Sequence, residues 1–272
     1  MNPIEEITVV LPAYNEEQDL PQLLERLHAA LEPGPLKHRI VVVDDGSQDR
    51  TAEIAREAAT RMPVQLVQHE QNQGLGRAIQ TGLTEASRHP GAVITMDADN
   101  SHDPKYIADM VAKLEQEDLD VVIASRFVKG SQVKGVPVFR QFLSYGCFFS
   151  MKCFVPFKNV RDYSAGFRAY RSTTLQRLVS IHQDRLVEHA GFSCMLEVLL
   201  KLRAMGARAG EIPYTLRYDQ KIGVSKLRLF RTLRMYALVL GKFIGPQPRE
   251  RSPEYSLQAA SKLAATSGTI TY

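Results

Sequence analysis

Cysteine is scarce in this chain, and the few thiols form no pattern. Cys147, Cys153 and Cys194 are the only three, all in apolar surroundings. An odd count at these intervals excludes a disulfide framework and matches no zinc-binding spacing. The expectation is reduced, mostly buried thiols in a cytosolic protein. Long apolar runs are also missing. No uncharged stretch approaches the roughly 18–20 residues that span a bilayer, so no transmembrane segment is expected. The first residues, MNPIEEITVV, lack the basic and apolar regions of a secretory leader. There is no Gly-x-x-x-x-Gly-Lys-Ser/Thr element, which excludes a P-loop. Internal repeats and low-complexity tracts are absent.

What is present is an ordinary apolar fraction of 44% and a charged fraction of 24%, which point to a folded globular chain rather than a disordered one. A length of 272 residues fits one α/β domain. The net charge of +4 hides a division. Residues 1–120 hold 10 Lys and Arg against 22 Asp and Glu, whereas residues 121–250 hold 22 against 7. A basic half implies an anionic partner: nucleic acid, a phosphorylated substrate or an acidic membrane face.

Short β-branched runs recur at 7–11, 40–43, 64–67, 92–96 and 121–124. Helical spacings lie between them: Leu20, Leu23, Leu24, Leu27 and Leu31; Ile54, Ala58 and Ala59; Leu83 and Ala86; and Ile107, Met110, Val111 and Leu114 behind the Asp103-Pro104 start signal. Strand and helix alternate for about 120 residues, which predicts a mostly parallel sheet covered by helices, with its site at the carboxyl ends of strands. The second half differs. Residues 136–157 are rich in aromatics (Phe139, Phe142, Phe148, Phe149, Phe154, Phe157), 161–171 are polar and basic, 192–205 predict an apolar helix, and 226–244 a basic amphipathic one. One domain is expected over 1–245, made of unlike halves at 1–120 and 121–245, with a flexible tail at 246–272.

Three acid-bearing loops leave the same predicted edge: Tyr14-Asn15-Glu16-Glu17, Asp44-Asp45-Gly46-Ser47, and Asp97-Ala98-Asp99-Asn100-Ser101. Any one of them reads as a cap or a turn. Together they form a cluster of carboxylates that repel, and a divalent cation is the simplest compensation. Oxygen ligands favour Mg2+ or Mn2+.

The runs VVLPAYNEE, VVVDDGSQDRT, NQGLGRAIQTGL and MDADNSHDP, in this order, resemble family 2 glycosyltransferases of the GT-A (nucleotide-diphospho-sugar transferase) fold. The resemblance implies that Pro12, Tyr14, Glu16 and Asp45 hold the nucleoside and that Asp44 and Gly46 shape that loop. It sets Asn72, Gly74 and Arg77 near the donor, and makes the Asp97-Ala98-Asp99 triplet the metal side of the donor site. The segments Ser125–Gly130, Asp162–Arg171, Gly191-Phe192 with Glu197, and Gly223–Lys226 narrow the resemblance to the dolichol- and polyprenyl-phosphate mannose synthase group. In that group the acidic triplet usually continues to a Gln. Here Ser101 stands in that position and is the expected third metal oxygen beside Asp97 and Asp99.

The resemblance implies transfer of a hexose, mannose first and glucose second, from GDP-mannose or UDP-glucose to a polyprenyl phosphate, with inversion. Asp99, Arg126, Asp162 and Arg168 are the expected catalytic residues, and Arg126, Arg168, Ser225 and Lys226 the expected contacts of the acceptor phosphate. C-terminal amphipathic interface helices would hold the protein peripherally on the cytoplasmic membrane face. There Leu227, Phe230, Leu233 and Leu240 would face lipid, and Arg228, Arg231 and Arg234 the headgroups. The cations then need no nucleic acid to explain them. Two alternatives stay open: a soluble hydroxyl acceptor, with Asp162 as its base, and a non-catalytic nucleotide-sugar binder. His102 and His189 read as structural.

Overall fold

The computed structural model describes residues 3–136, 146, 151–189, 191, 193–220 and 229–244, without the side chains of 220, 229–233 and 244. The expected tail, Ser225, Lys226, Cys147 and most of the aromatic run lie outside the described residues. So do the side chains of Leu227, Arg228, Phe230, Arg231 and Leu233.

The five apolar runs form strands β1 (Glu6–Ala13), β2 (Lys37–Asp44), β3 (Val64–Gln68), β4 (Ala92–Thr95) and β5 (Val121–Ser125). Four more strands follow: β6 (Gln132–Lys134), β7 (Arg168–Arg171), β8 (Ala209–Pro213) and β9 (Thr215–Arg217). A seven-stranded sheet has the order β3-β2-β1-β4-β7-β5-β8, and β6 pairs with β9 separately. All pairs in the large sheet are parallel except those of β7, which runs antiparallel to β4 and to β5. The central strands are apolar at nearly every position because helices cover both faces.

Helices α1 (Leu20–Leu31), α2 (Thr51–Ala59) and α4 (Tyr106–Gln116) pack on one face, where Leu23, Leu27, Ala55, Ile107 and Met110 meet Val9, Leu11, Val42 and Ile94. On the other face, α3 (Leu75–Ala86), α5 (Ser172–His182) and α6 (Cys194–Ala204) bring Leu83, Leu175 and Leu199 against Val10, Val93, Val121 and Tyr170. Each such side chain, fully buried, contributes about 1.5–3 kcal/mol. Successive residues of β1 therefore feed two different cores, as the period of two requires.

Four expectations need correction. In α2 the buried stripe is Ala52, Ala55 and Ala58, while Ala59 is exposed, one residue off the inward face. The turn entering α4 does start at Asp103, whose Oδ1 accepts the Lys105 N–H at 3.2 Å, but the regular helix begins at Tyr106. Cys153 is exposed, unlike Cys194. In α7 (Leu229–Ile244), Leu240 does not turn to solvent or lipid. It packs with Tyr236 and Phe243 on the core around the fully buried Val239. The outer face shows Arg234, Leu238 and Lys242 instead. No helix among the described residues is long and apolar enough to cross a membrane.

Candidate functional site

The carboxyl ends of β1, β2, β4 and β5 lie on one edge of the sheet, and the start of the reversed strand β7 lies there too. The loops after β1 and β2 interlock. Ser47 Oγ accepts the Asn15 N–H at 2.9 Å, Asn15 Oδ1 accepts the Gln48 N–H at 2.8 Å, and Thr51 Oγ1 accepts the Glu16 N–H at 2.8 Å. Asp49 Oδ2 accepts the Glu17 N–H, and Glu17 Oε2 accepts the Arg50 N–H. These short polar side chains satisfy loop amides that neither strand nor helix serves. Pro12 is buried within β1, paired with Val43, and Tyr14 and Glu16 are half-buried beyond it.

Asp45 joins this pair of loops to a third. Its carboxylate accepts the N–H groups of Gln73 (3.0 Å) and Gly74 (2.7 Å) and pairs with His69 Nδ1 (2.7 Å), whose Nε2 meets Thr81 Oγ1 at 3.0 Å. Gly46 has φ +67°, and a Cβ there would lie 2.4 Å from the Gln71 carbonyl carbon, so only glycine lets the two loops touch. Asn72 and Arg77 stand exposed beside this junction, at the N-terminus of α3. Asp45 is buried and occupied as the shaping residue. Asp44, which accepts the Ser47 N–H through Oδ1, keeps a buried Oδ2 with no hydrogen-bond partner among the described residues. His69 carried no sequence signal beyond a polar residue after a strand.

The loop after β4 brings the acids. Asp97 is 42% exposed at the edge, and its N–H is accepted by His102 Nδ1 at 3.1 Å. The His102 ring is buried, stacked on Phe167 (centroids 5.1 Å apart), so it acts as a support, as its sequence context suggested. Ala98 is buried behind the triplet. Asp99 Oδ1 accepts both the Ser101 N–H (3.1 Å) and the Ser101 hydroxyl (2.5 Å). Ser101 is buried and its hydroxyl donates to Asp99, so it braces that carboxylate in this structure. Asn100 (φ +60°) ties the loop to α1 through the Asp19 carbonyl (2.8 Å) and Arg26 (3.2 Å). A Cβ on Gly166 would sit 3.0 Å from Asp97 Oδ1, so glycine keeps the face of that carboxylate open.

The second half approaches through Arg126 and Asp162. Arg126 donates from Nε and Nη2 to the two Asp162 oxygens, both at 2.7 Å, and from Nη2 to Ser164 Oγ at 2.6 Å. Asp162 also accepts the N–H groups of Arg126 and Ala165. Burial alone would raise the Asp162 pKa, but the Arg126 guanidinium and these donors hold it below the usual carboxylate range. Burial works against the Arg126 charge as well, and Asp162 raises its pKa overall. A fully buried, multiply bonded carboxylate with a lowered pKa is a poor proton acceptor, so Asp162 is corrected from base to anchor.

Arg168 is corrected as well. It is fully buried in β7, where its two amino groups donate to the Met195 carbonyl (2.5 Å) and the Tyr163 carbonyl (2.8 Å) and its Nε is buried with no hydrogen-bond partner among the described residues, which sets it behind the surface that a phosphate would reach. Glu197 likewise works inside, accepting from Lys201 Nζ (2.7 Å) and the Glu188 N–H (3.0 Å) and pairing with His189 Nδ1 (2.9 Å).

Two residues of this region were not anticipated. Tyr214 packs edge-on to His102 and Phe167, and burial raises its phenol pKa, with Arg126, Asp162, Asp97 and Asp99 all acting on it. It stands between the acidic pair and the Arg126–Asp162 pair. Glu211 Oε1 accepts the Arg161 and Asp162 N–H groups, both at 2.7 Å. Beside them a cavity of about 480 Å³ is lined by Arg126, Lys129, Ser131 and Arg161, a basic recess.

The donor set after β4 suits a small hard cation. Mg2+ and Mn2+ are held by one or two carboxylates, completed by substrate phosphates and water. Asp97 at the rim and the inward-braced Asp99 fit that requirement.

The glycosyl transferase family 2 model matches residues 8–179. The chain is 32% identical over 232 residues to a dolichol-phosphate mannosyltransferase of Pyrococcus furiosus, covering 84% of this chain but only 62% of that relative. It is 31% identical over 230 residues to a polyprenol monophosphomannose synthase of Mycolicibacterium smegmatis, covering 84% and 83%. Among solved structures, a Mycobacterium tuberculosis glucosyl-3-phosphoglycerate synthase with Mn2+, UDP-glucose and phosphoglyceric acid superposes with TM-score 0.60 at 19% identity, covering 90% of this chain and 81% of that one. That likeness carries the fold.

Proposed function

Because this chain belongs to glycosyl transferase family 2, we propose that it moves a hexose, mannose first and glucose second, from a nucleotide-diphosphate sugar to a polyprenyl phosphate at a membrane surface. The names of the Pyrococcus and Mycolicibacterium relatives support a polyprenyl-phosphate acceptor. The observation that carries the reading is the Arg126–Asp162 pair beside the acidic triplet. The carboxylate nearest the acceptor side is locked and ionised, unsuited to deprotonating a sugar hydroxyl. An acceptor phosphate is already ionised at neutral pH and needs no base. It needs cations, and Arg126, Lys129 and Arg161 line the recess next to the donor edge.

In this mechanism the interlocked loops at Asn15, Ser47 and Asp45 hold the nucleoside side rigid. Preorganisation of this kind lowers the reorganisation required at reaction. Asp97 and Asp99 would hold a divalent ion, Mg2+ or Mn2+, which when bound supplies charge stabilisation to the departing nucleotide diphosphate. Asp162 fixes the Arg126 guanidinium at the wall of the recess, with the two Nη1 N–H groups not engaged by Asp162 or Ser164, at low entropy cost for binding a phosphate.

The test is transfer of label from radiolabelled GDP-mannose or UDP-glucose, with Mn2+, to undecaprenyl phosphate in detergent, with soluble sugars as parallel acceptors. Label in the organic phase is the expected result. Label confined to a water-soluble product would replace this reading with the hydroxyl-acceptor one.

A further inference from the structure

The opposite edge of the sheet carries a second group of ligating side chains that the transfer reaction does not use. His28 lies in the last turn of α1, Glu32 caps that helix, and His38 is the second residue of β2. His28 and Glu32 are four residues apart and so share one helix face. The connection between helix and strand contains Pro33, Gly34 and Pro35. It is closed by the Gly34 N–H donating to the Leu31 carbonyl at 3.1 Å. This stiff turn brings His38 back over the helix end.

One ligand atom from each of the three residues lies within 4.8 Å of the other two. His28 Nδ1 is 3.8 Å and His38 Nε2 is 4.0 Å from Glu32 Oε2, too long for hydrogen bonds. Those same two nitrogens are buried and have no hydrogen-bond partner. The His38 side chain is only 6% exposed, and its bare nitrogen points into the cluster. Unsatisfied buried polar atoms cost about 1–3 kcal/mol each. Protonating both rings does not relieve this, because the imidazoles stand 5.8 Å apart, centroid to centroid, and would repel. A cation shared by the two nitrogens and the carboxylate satisfies all three. The C-terminal end of α1, with its negative dipole, adds to the attraction.

We propose that His28, Glu32 and His38 form a binding site for a borderline transition-metal ion, Zn2+ being the best match, distinct from the hard-cation site at Asp97 and Asp99. Two imidazoles and one carboxylate suit zinc, with water in the fourth position. Bond lengths of about 2.0–2.2 Å bring tetrahedral ligands to roughly 3.3–3.6 Å from one another. The two His–Glu separations must therefore contract by a few tenths of an ångström, which Glu32, 64% exposed, is free to supply, and the two ring nitrogens, within 4.8 Å of each other, close the remainder by turning the partly exposed His28 ring. The ion pins the end of α1 to the start of β2, far from the donor loops, so its effect is on stability and not on the transfer step.

The experiment is a calorimetric titration of Zn2+ into the full chain with Mg2+ in excess, repeated for His28→Gln, His38→Gln and Asp97→Asn. Wild type and Asp97→Asn are expected to take up one Zn2+ with equal affinity, and their melting temperature rises with free Zn2+. The His28→Gln protein, altered at a partly exposed position, stays folded and binds at least about tenfold more weakly, since even supporting partners of a metal ligand are worth about 10- to 100-fold. His38→Gln behaves the same way if it folds. The proposal is overturned by a wild type that takes up no Zn2+, by a His28→Gln protein that binds as wild type does, or by loss of binding in Asp97→Asn.

Discussion

The two halves of this molecule use carboxylates in opposite ways. In the first half, Asp44, Asp45, Asp49 and Asp99 accept backbone N–H groups of the loops that follow strands, and the acids remain at or near the sheet edge. In the second half, Asp162 and Glu197 are fully buried and neutralised by internal cations, Arg126 for one and Lys201 for the other. The first arrangement shapes a binding surface, and the second builds a frame behind it. The contrast also corrects a natural inference from composition. The basic excess of residues 121–250 is not all surface charge, because Arg168 and Lys201 are buried and Arg171 donates to the carbonyls of Leu114 and Leu119. The anionic partner therefore meets a smaller set of cations than the count implies.

The sharpest challenge to this division is Asp162→Asn. It leaves the Arg126 charge poorly compensated in a largely buried place, and removal of one partner from such a pair costs about 3–5 kcal/mol. Urea denaturation should read that loss, and an unchanged midpoint would make the pair ornamental. Asp97→Asn should behave in the opposite sense. Its carboxylate is 42% exposed, so stability should stay within about 0.5 kcal/mol. Transfer should fall by about 10²–10³-fold, the usual loss on removing one group that stabilises transition-state charge.

A pH series compares the halves without mutation. Burial pushes His182 down to about 4. The folded protein therefore resists a proton that the unfolded chain accepts near 6.5, so stability from this group is complete above about pH 6.5 and lost as pH falls toward 4. Asp162, held low, adds a second loss below the usual carboxylate value near 3.9, as pH falls through its folded pKa. Thermal melts of wild type and His182→Gln carried from about pH 7 down to about pH 2 should differ in the first of these windows and coincide in shape in the second. The mildest expected change is Ser101→Ala. Loss of one hydroxyl donor to Asp99 costs about 1 kcal/mol and leaves Mn2+ affinity within a few-fold. A drop of about 10-fold or more would mark Ser101 as a ligand.

The first half was legible because its physics is local. Val9 to Leu11, Ile40 to Val43 and Val121 to Ala124 are apolar at every position, and their loops begin with polar residues whose only work is at a strand end. Asp97 and Asp99 followed from that alternation. Strand β7 did not, because Arg-Ala-Tyr-Arg carries charge at both ends. Its burial depends on carbonyls supplied by the nearby Tyr163 and by Met195, Leu114 and Leu119, distant in sequence. The partners of Arg168 and Asp162 were hidden for the same reason: residue type is local, whereas the Met195 carbonyl and the Arg126 guanidinium that occupy these side chains are not. Strand β8, five residues long, and helix α5, whose buried face carries only Ser172, Leu175 and Leu178, were missed as well.

The reversed direction of β7 has one more consequence. Strand β5 leaves the sheet at Ser125 on the donor edge, and because β7 is antiparallel the chain re-enters at Arg168 on that same edge. Residues 126–167 are thus an excursion with both ends anchored side by side on one edge, and from there it supplies β6 as the partner of β9 and sets Asp162 and Gly166 against Arg126 and Asp97. On the proposed function this excursion is the acceptor-facing portion, and exchanging it between relatives is expected to alter the molecule that receives the sugar while β1 to β4 and their loops are kept.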